Sequence, residues 1–173
     1  MGAQRFWSRV LAAAGIAVIF GCTERAPLER LAAPPSHDVI ASFGNPSLLR
    51  CAPQPAASAS ATIGPDGGVL QIGPHHLTVA AGALPDTVTI TAVAPSTSLI
   101  RVELEPHGLT FNGDVSLTLS YAHCGGLADL FPKRVVYIDG GLNILEFLPS
   151  LDDLFNKRVT GDLSHFSDYA IAW

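Results

Sequence analysis

From Ala61 onward, apolar and polar residues alternate in short runs separated by turn residues, with the two-residue period of half-buried strands. Val69-Leu70-Gln71-Ile72 follows Gly64-Pro65-Asp66-Gly67-Gly68, a turn in which proline presets one dihedral and glycine allows positive φ. Thr87 to Val93 sets Thr87, Thr89 and Thr91 against Val88 and Ile90, and Ile100, Val102 and Leu104 alternate with Arg101, Glu103 and Glu105. Val115, Leu117, Leu119 and Tyr121 alternate with Ser116, Thr118 and Ser120. Arg134 to Ile138 passes through Asp139-Gly140-Gly141 into Leu142 to Leu148, a hairpin signal. Lys157 to Leu163 and Ser167 to Trp173 complete the set; the second puts Tyr169, Ile171 and Trp173 on one face and Ala170 and Ala172 on the other. No stretch beyond residue 60 holds a long helical period. The pattern predicts an all-β fold, an antiparallel β-sandwich of eight or nine short strands over residues 61–173.

The first 60 residues follow a different pattern. Arg5 and Arg9 stand in an acid-free opening, Val10 to Phe20 is apolar, and Ile19-Phe20-Gly21-Cys22 follows, the tripartite layout of a secretory signal. The uncharged run Val10 to Thr23 is shorter than the roughly 20 residues a permanent membrane span needs. With the small Gly21 ahead of Cys22, the segment resembles a bacterial lipoprotein signal and its lipobox. The resemblance implies that residues 1–21 are removed, that the Cys22 thiol carries a thioether-linked diacylglycerol, and that the chain is held on a membrane in the cell envelope. Thr23, where an aspartate would favour inner-membrane retention, points to the outer membrane. Residues 22–60, with Pro27, Pro34, Pro35, Pro46, Pro53, Pro55 and the run Ala56-Ala57-Ser58-Ala59-Ser60, read as a disordered tether with a reach of roughly 35 Å.

Composition and charge narrow the function classes. With 48% hydrophobic and 14% charged residues the chain holds a packed domain and is not a disordered protein. Ten basic against fifteen acidic side chains, without a basic cluster in the sequence, exclude nucleic acid as a partner. Loss of residues 1–21 removes two arginines and makes the balance still more acidic. The acidic surface is then expected to be repelled by anionic headgroups, so that lipid rather than a polybasic patch holds the protein on a membrane. Cys51 and Cys124 remain in an exported chain and predict one disulfide.

Two motifs carry candidate chemistry. Gly67-Gly68-Val69-Leu70, His76-Leu77-Thr78-Val79, Ala81-Gly82-Ala83-Leu84 and Leu104-Glu105-Pro106-His107-Gly108-Leu109-Thr110-Phe111 occur in this order over residues 61–122. Together they resemble the ZU5 domain, the β-sandwich of ankyrins, netrin receptors and death-domain adaptors. Ala80-Ala81 stands where that family usually has proline before the turn glycine. The resemblance implies a protein-interaction or scaffolding module without catalysis on external substrates. His165-Phe166-Ser167 is similar to the self-cleavage triplet of some ZU5 adaptors. There the serine hydroxyl attacks the preceding carbonyl, the histidine acts as general base, and the resulting ester is hydrolysed. On that pattern Ser167 would attack the Phe166 carbonyl with His165 as base. The alternative is structural, with Phe166 in the core and Ser167 opening the last strand.

Other candidates are weaker. His75, His76, His107 and His123 lack the spacing of a zinc site, and Asp152, Asp153 and Asp162 match no calcium loop. No metal or cofactor is expected. Ser116, Ser120 and Ser164 fit polar strand or turn positions, and the common hydrolase and phosphate-loop signatures do not occur. Three functions follow from these residues: a lipid-anchored protein-binding module, a self-processing domain, and a carbohydrate- or polymer-binding module. The third would need Tyr169 or Trp173 as an exposed aromatic platform, since Trp7 falls in the signal and Tyr121 and Tyr137 in strands.

Overall fold

The computed structural model describes residues 47–126 and 130–173. The signal, Cys22 and residues 23–46 lie outside the described residues. Among the described residues eleven strands occur: β1 (Ala57–Ile63), β2 (Gly68–Ile72), β3 (His75–Val79), β4 (Val88–Ala94), β5 (Arg101–Glu105), β6 (Val115–Ser120), β7 (Arg134–Ile138), β8 (Ile144–Phe147), β9 (Ser150–Asp153), β10 (Arg158–Asp162) and β11 (Asp168–Ala172). All pairings are antiparallel, in a six-stranded sheet β1-β4-β5-β11-β7-β8 and a five-stranded sheet β2-β3-β6-β10-β9. The expected antiparallel sandwich is present, with β1, β3 and β9 beyond the eight windows read from the alternation. Among the described residues no helix is long and apolar enough to cross a membrane.

The domain takes in residues that their composition assigns to the tether. Leu49 is buried in the core, and its N–H donates to the Ile171 carbonyl at 2.8 Å. Ser47 and Trp173 exchange backbone hydrogen bonds at 3.3 and 3.2 Å. Strand β1 pairs with β4 from Ala57↔Ala94 to Ile63↔Val88. Its alternation is real but of low contrast. Ala57, Ala59 and Ala61 lean on the core while Ser58, Ser60 and Thr62 face water, and the hydroxyl pairs Ser60–Thr91 (3.3 Å) and Thr62–Thr89 (3.1 Å) link it to β4. The domain therefore starts by Ser47 rather than at Ala61.

Strand β11 lies inside the six-stranded sheet, between β5 and β7. Its alternation falls as the sequence predicts: Tyr169 and Ile171 enter the main core, and Ala170 and Ala172 join Val136 and Ile138 in a second, smaller cluster. Burying each such Leu-, Ile- or Phe-sized side chain stabilises by about 1.5–3 kcal/mol. Where β10 crosses β7, a Cβ on Gly161 would sit 2.5 Å from the Val135 Cβ, so only glycine lets the two sheets approach there. Cys51 and Cys124 form the expected disulfide, with Cα atoms 5.3 Å apart. It ties the segment ahead of β1 to the connection that follows β6, and so joins the two sheets.

Candidate functional site

The structure brings the two sequence motifs together at one corner. Gly108, at φ +77°, turns the chain after β5 so that its N–H donates to the Phe166 carbonyl at 2.9 Å. The Phe166 N–H donates in turn to the Leu109 carbonyl at 2.9 Å, and Thr110 and His165 form a β-bridge. Phe166 is fully buried, edge-on to Phe111 with centroids 4.9 Å apart. The His165 ring packs edge-on against Tyr137 at 5.0 Å, and its Nδ1 lies 3.1 Å from the Ser164 hydroxyl. Its backbone carbonyl accepts a 2.5 Å hydrogen bond from the Tyr169 hydroxyl, whose pKa is raised by burial and by Tyr137 and Glu146 nearby. The Ser167 carbonyl accepts from the Leu104 N–H at 3.0 Å.

This corner holds part of what self-cleavage needs. The Gly108 N–H is a donor already aimed at the carbonyl oxygen that would become an oxyanion. The hydroxyl paired with His165 is that of Ser164, not Ser167. Among the described residues the non-glycine positive φ angles fall at Leu142 and Lys157, away from the Phe166–Ser167 bond.

The aromatic platform is not where the sequence allowed it. Tyr169 and Tyr121 are fully buried, so neither offers a face to a sugar ring. Trp173 is half-buried, stacks edge-on with Phe131 at 5.4 Å and gives its Nε1–H to the Ser47 hydroxyl at 2.8 Å.

The fold gathers histidines that sequence spacing leaves apart. His75 and His123 line one small cavity with Ala94, Thr97 and Arg101. His75 Nδ1 accepts the Ser120 N–H at 3.0 Å, which requires an unprotonated nitrogen. Burial, then the neighbouring His123 and His76, push its pKa down to about 4. Burial also lowers the pKa of His123, whose Nε2 lies 4.0 Å from Cys124 Sγ. Donor atoms of Cys51, His123 and Cys124 fall within 4.8 Å of one another, but the disulfide takes up both sulfurs. His107 faces Glu105 and Asp168 at 3.4 Å each, and Asp168 Oδ1 is otherwise a buried acceptor without a hydrogen bond. Asp152 and Asp153 point to different partners from Asp162, which closes the far end of β10. Asp152 accepts from the Tyr121 hydroxyl and the Lys133 N–H, while Asp153 caps Phe155 and Asn156.

A second feature was invisible in the alternation. Strands β8 and β9 are each one edge of their sheet, the opposite edges being β1 and β2, and they are consecutive in the chain through Leu148-Pro149. Leu145 on β8 and Leu151 on β9 stand 52% and 76% exposed. A groove beside them is lined by Pro149, Ser150, Leu151, Thr160 and Asp162. Edge strands carrying exposed leucine are an adhesive surface, whereas the other six-stranded edge, β1, presents serine and threonine. No family model matches the chain, and no curated protein matches it in sequence.

Proposed function

We propose that this is a lipid-anchored protein of the cell envelope whose β-sandwich binds or supports another protein and performs no catalysis on external substrates. The anchor is the diacylglyceryl thioether on Cys22. The observation that carries the binding role is the β8–β9 flank, where two free strand edges and the exposed Leu145 and Leu151 offer backbone donors and acceptors beside apolar side chains. Such an edge takes an extended segment as an added strand, with the leucines filling pockets on the partner. The ZU5-like motifs point the same way.

The test is site-specific photo-cross-linking in the native envelope from position 151, with position 62 on the opposite flank as reference. A discrete protein adduct from 151, absent from 62 and lost in Leu145→Asp, is expected. Equal labelling from both positions would remove the flank from the argument. The anchor is tested by intact mass of the detergent-extracted chain, where a diacylglyceryl increment on Cys22 should vanish in Cys22→Ser.

A second reading, self-processing between Phe166 and Ser167, is favoured by one contact, the Gly108 N–H on the Phe166 carbonyl. It requires a new amino terminus at Ser167 that disappears in Ser167→Ala. An unbroken chain through Trp173 removes this reading.

A further inference from the structure

The net charge of the chain hides a separation of charge along the sandwich. In the five-stranded sheet β6 and β9 finish where β10 begins, by the pairs Ser120↔Arg158 and Asp153↔Arg158, and in the six-stranded sheet β11 finishes where β7 begins, by the pair Ala172↔Arg134. The two sheets meet there through Lys133, which stands over the Tyr121 ring and whose N–H donates to Asp152. Of the six lysines and arginines among the described residues, five lie at this end: Arg50, Lys133, Arg134, Lys157 and Arg158. The side chains of Arg50, Arg134 and Arg158 are exposed. Of the two described acids here, Asp152 accepts from the Tyr121 hydroxyl and the Lys133 N–H, while Asp153 is exposed, caps its own turn and lies near Arg158. At the opposite end stand Asp66, Asp86, Asp114, Asp139, Asp162 and Asp168.

The basic end also carries exposed apolar loop tips. Phe155 is fully exposed (101%), and Leu154 (50%), Leu130 (70%) and Phe131 (39%) stand on the neighbouring turns. Trp173 packs on Phe131 and holds Ser47, so the chain comes into the domain at this same end. Residues 23–46, 24 in number, are all that separate Ser47 from Cys22. An anchor on Cys22 would therefore join the domain at this end, through those 24 residues.

We infer that the end carrying Phe131, Leu154 and Phe155 is a contact surface for an anionic phospholipid bilayer, its apolar tips entering the headgroup region and Arg50, Arg134 and Arg158 pairing with lipid phosphates. Apolar tips ringed by cations suit that interface, because the aromatic and leucine side chains leave water while the guanidinium groups stay at the charged surface. The acidic end then points away from the membrane, and the β8–β9 flank stands upright beside it, open to a partner. The orientation rests on the proposed anchor; the lipid contact does not.

The experiment uses the mature chain from residue 22 with Cys22→Ser, so no acyl group contributes. Trp173 is the only tryptophan of that chain and reports from the surface itself. It is mixed with phosphatidylcholine vesicles containing about 30% phosphatidylglycerol, and read by sedimentation and by quenching with brominated lipid. Binding with Trp173 quenching is expected, weakened at high salt by screening. Leu154→Asp/Phe155→Asp should lower the vesicle partition about tenfold or more, since two apolar groups no longer leave water. Both positions are solvent-exposed, and an unchanged thermal melt confirms that the variant is folded. Leu142→Asp, on the acidic end, should leave partition unchanged.

Absence of binding, or binding that Leu154→Asp/Phe155→Asp leaves intact, overturns the inference. Self-association that the same pair abolishes, with no vesicle binding, also overturns it and gives the surface to a second copy. Vesicle binding by the unacylated chain, combined with an unmodified Cys22 in the native protein, supports the lipid surface and removes the anchor.

Discussion

His75 makes the stability of this fold depend on pH in a direction and size that can be worked out. Its Nδ1 accepts the Ser120 N–H at 3.0 Å at the end of β6, so the folded state needs the neutral ring. The residue is 6% exposed, and burial, aided by His123 and His76, lowers its pKa from 6.5 to about 4. The unfolded chain takes up the proton near pH 6.5 while the folded chain refuses it until about pH 4. Between those values the unfolded state binds more protons, so stability falls as the pH falls and is fully restored above about 6.5. Over pH 7.5 to 5 this one group costs about 2 kcal/mol, a large share of the roughly 5–15 kcal/mol of a typical domain. His76 and His123, whose pKa values are also lowered by burial, add smaller effects of the same sign.

Urea unfolding of wild type and His75→Gln across pH 5–7.5 measures the effect above most carboxylate titration. The glutamine side chain keeps an acceptor for the Ser120 N–H and cannot take up a proton in this range. The variant should lose most of the wild-type pH slope, and in the wild type the His75 ring resonance should titrate near pH 4. Superimposable slopes for the two proteins would refute the reasoning.

Further perturbations test the packing. Cys51→Ser/Cys124→Ser opens a 73-residue loop and should cost about 4 kcal/mol by loop-closure entropy, seen as a lower denaturation midpoint that wild type reproduces on reduction. Phe166→Ala empties a fully buried site against Phe111 and should cost about 3–5 kcal/mol in the same assay; a loss below about 1 kcal/mol would place Phe166 outside the core. Gly161→Ala drives a methyl into Val135 and should cost about 1–3 kcal/mol, with chemical-shift changes centred on β7. Leu142→Gly relieves a φ of 65° in the β7–β8 turn and should stabilise by about 1 kcal/mol, measured as a raised thermal midpoint.

Fold class was readable because the strong alternators, β4, β5 and β6, contrast Val, Ile and Leu with Thr, Ser and charged residues, and β11 sets Tyr169 and Ile171 against alanines. Where that contrast fades, the reading fails. Strand β1 alternates only alanine with serine and threonine, so its composition looks like linker although β4 pairs with it along its whole length. Strand β9 has four residues, too few to show a period, and its exposed Leu151 inverts the usual pattern. The disulfide was legible from arithmetic alone, since two cysteines remain once Cys22 is assigned to lipid. The candidate site was legible in pieces. His165-Phe166-Ser167 and the Pro106–Phe111 turn stood out separately, but their hydrogen bonds join residues far apart in the chain, Gly108 to Phe166 and Phe166 to Leu109, a distance no local pattern crosses.

The sequence by itself determined eight of the eleven described strands, because side-chain alternation and turn chemistry act over a few residues and are written in order along the chain. It also determined the total charge, but not where the charge sits. Only the tertiary structure decided that five of six described cations and the exposed Leu154 and Phe155 share the end where Ser47 joins Trp173, because that grouping depends on which strand ends the two sheets bring level. It likewise decided that His75 and His123 share a cavity and that Gly108 meets Phe166. Each of these is set by long-range pairing, which follows from burying both sheets' apolar faces together rather than from any local preference.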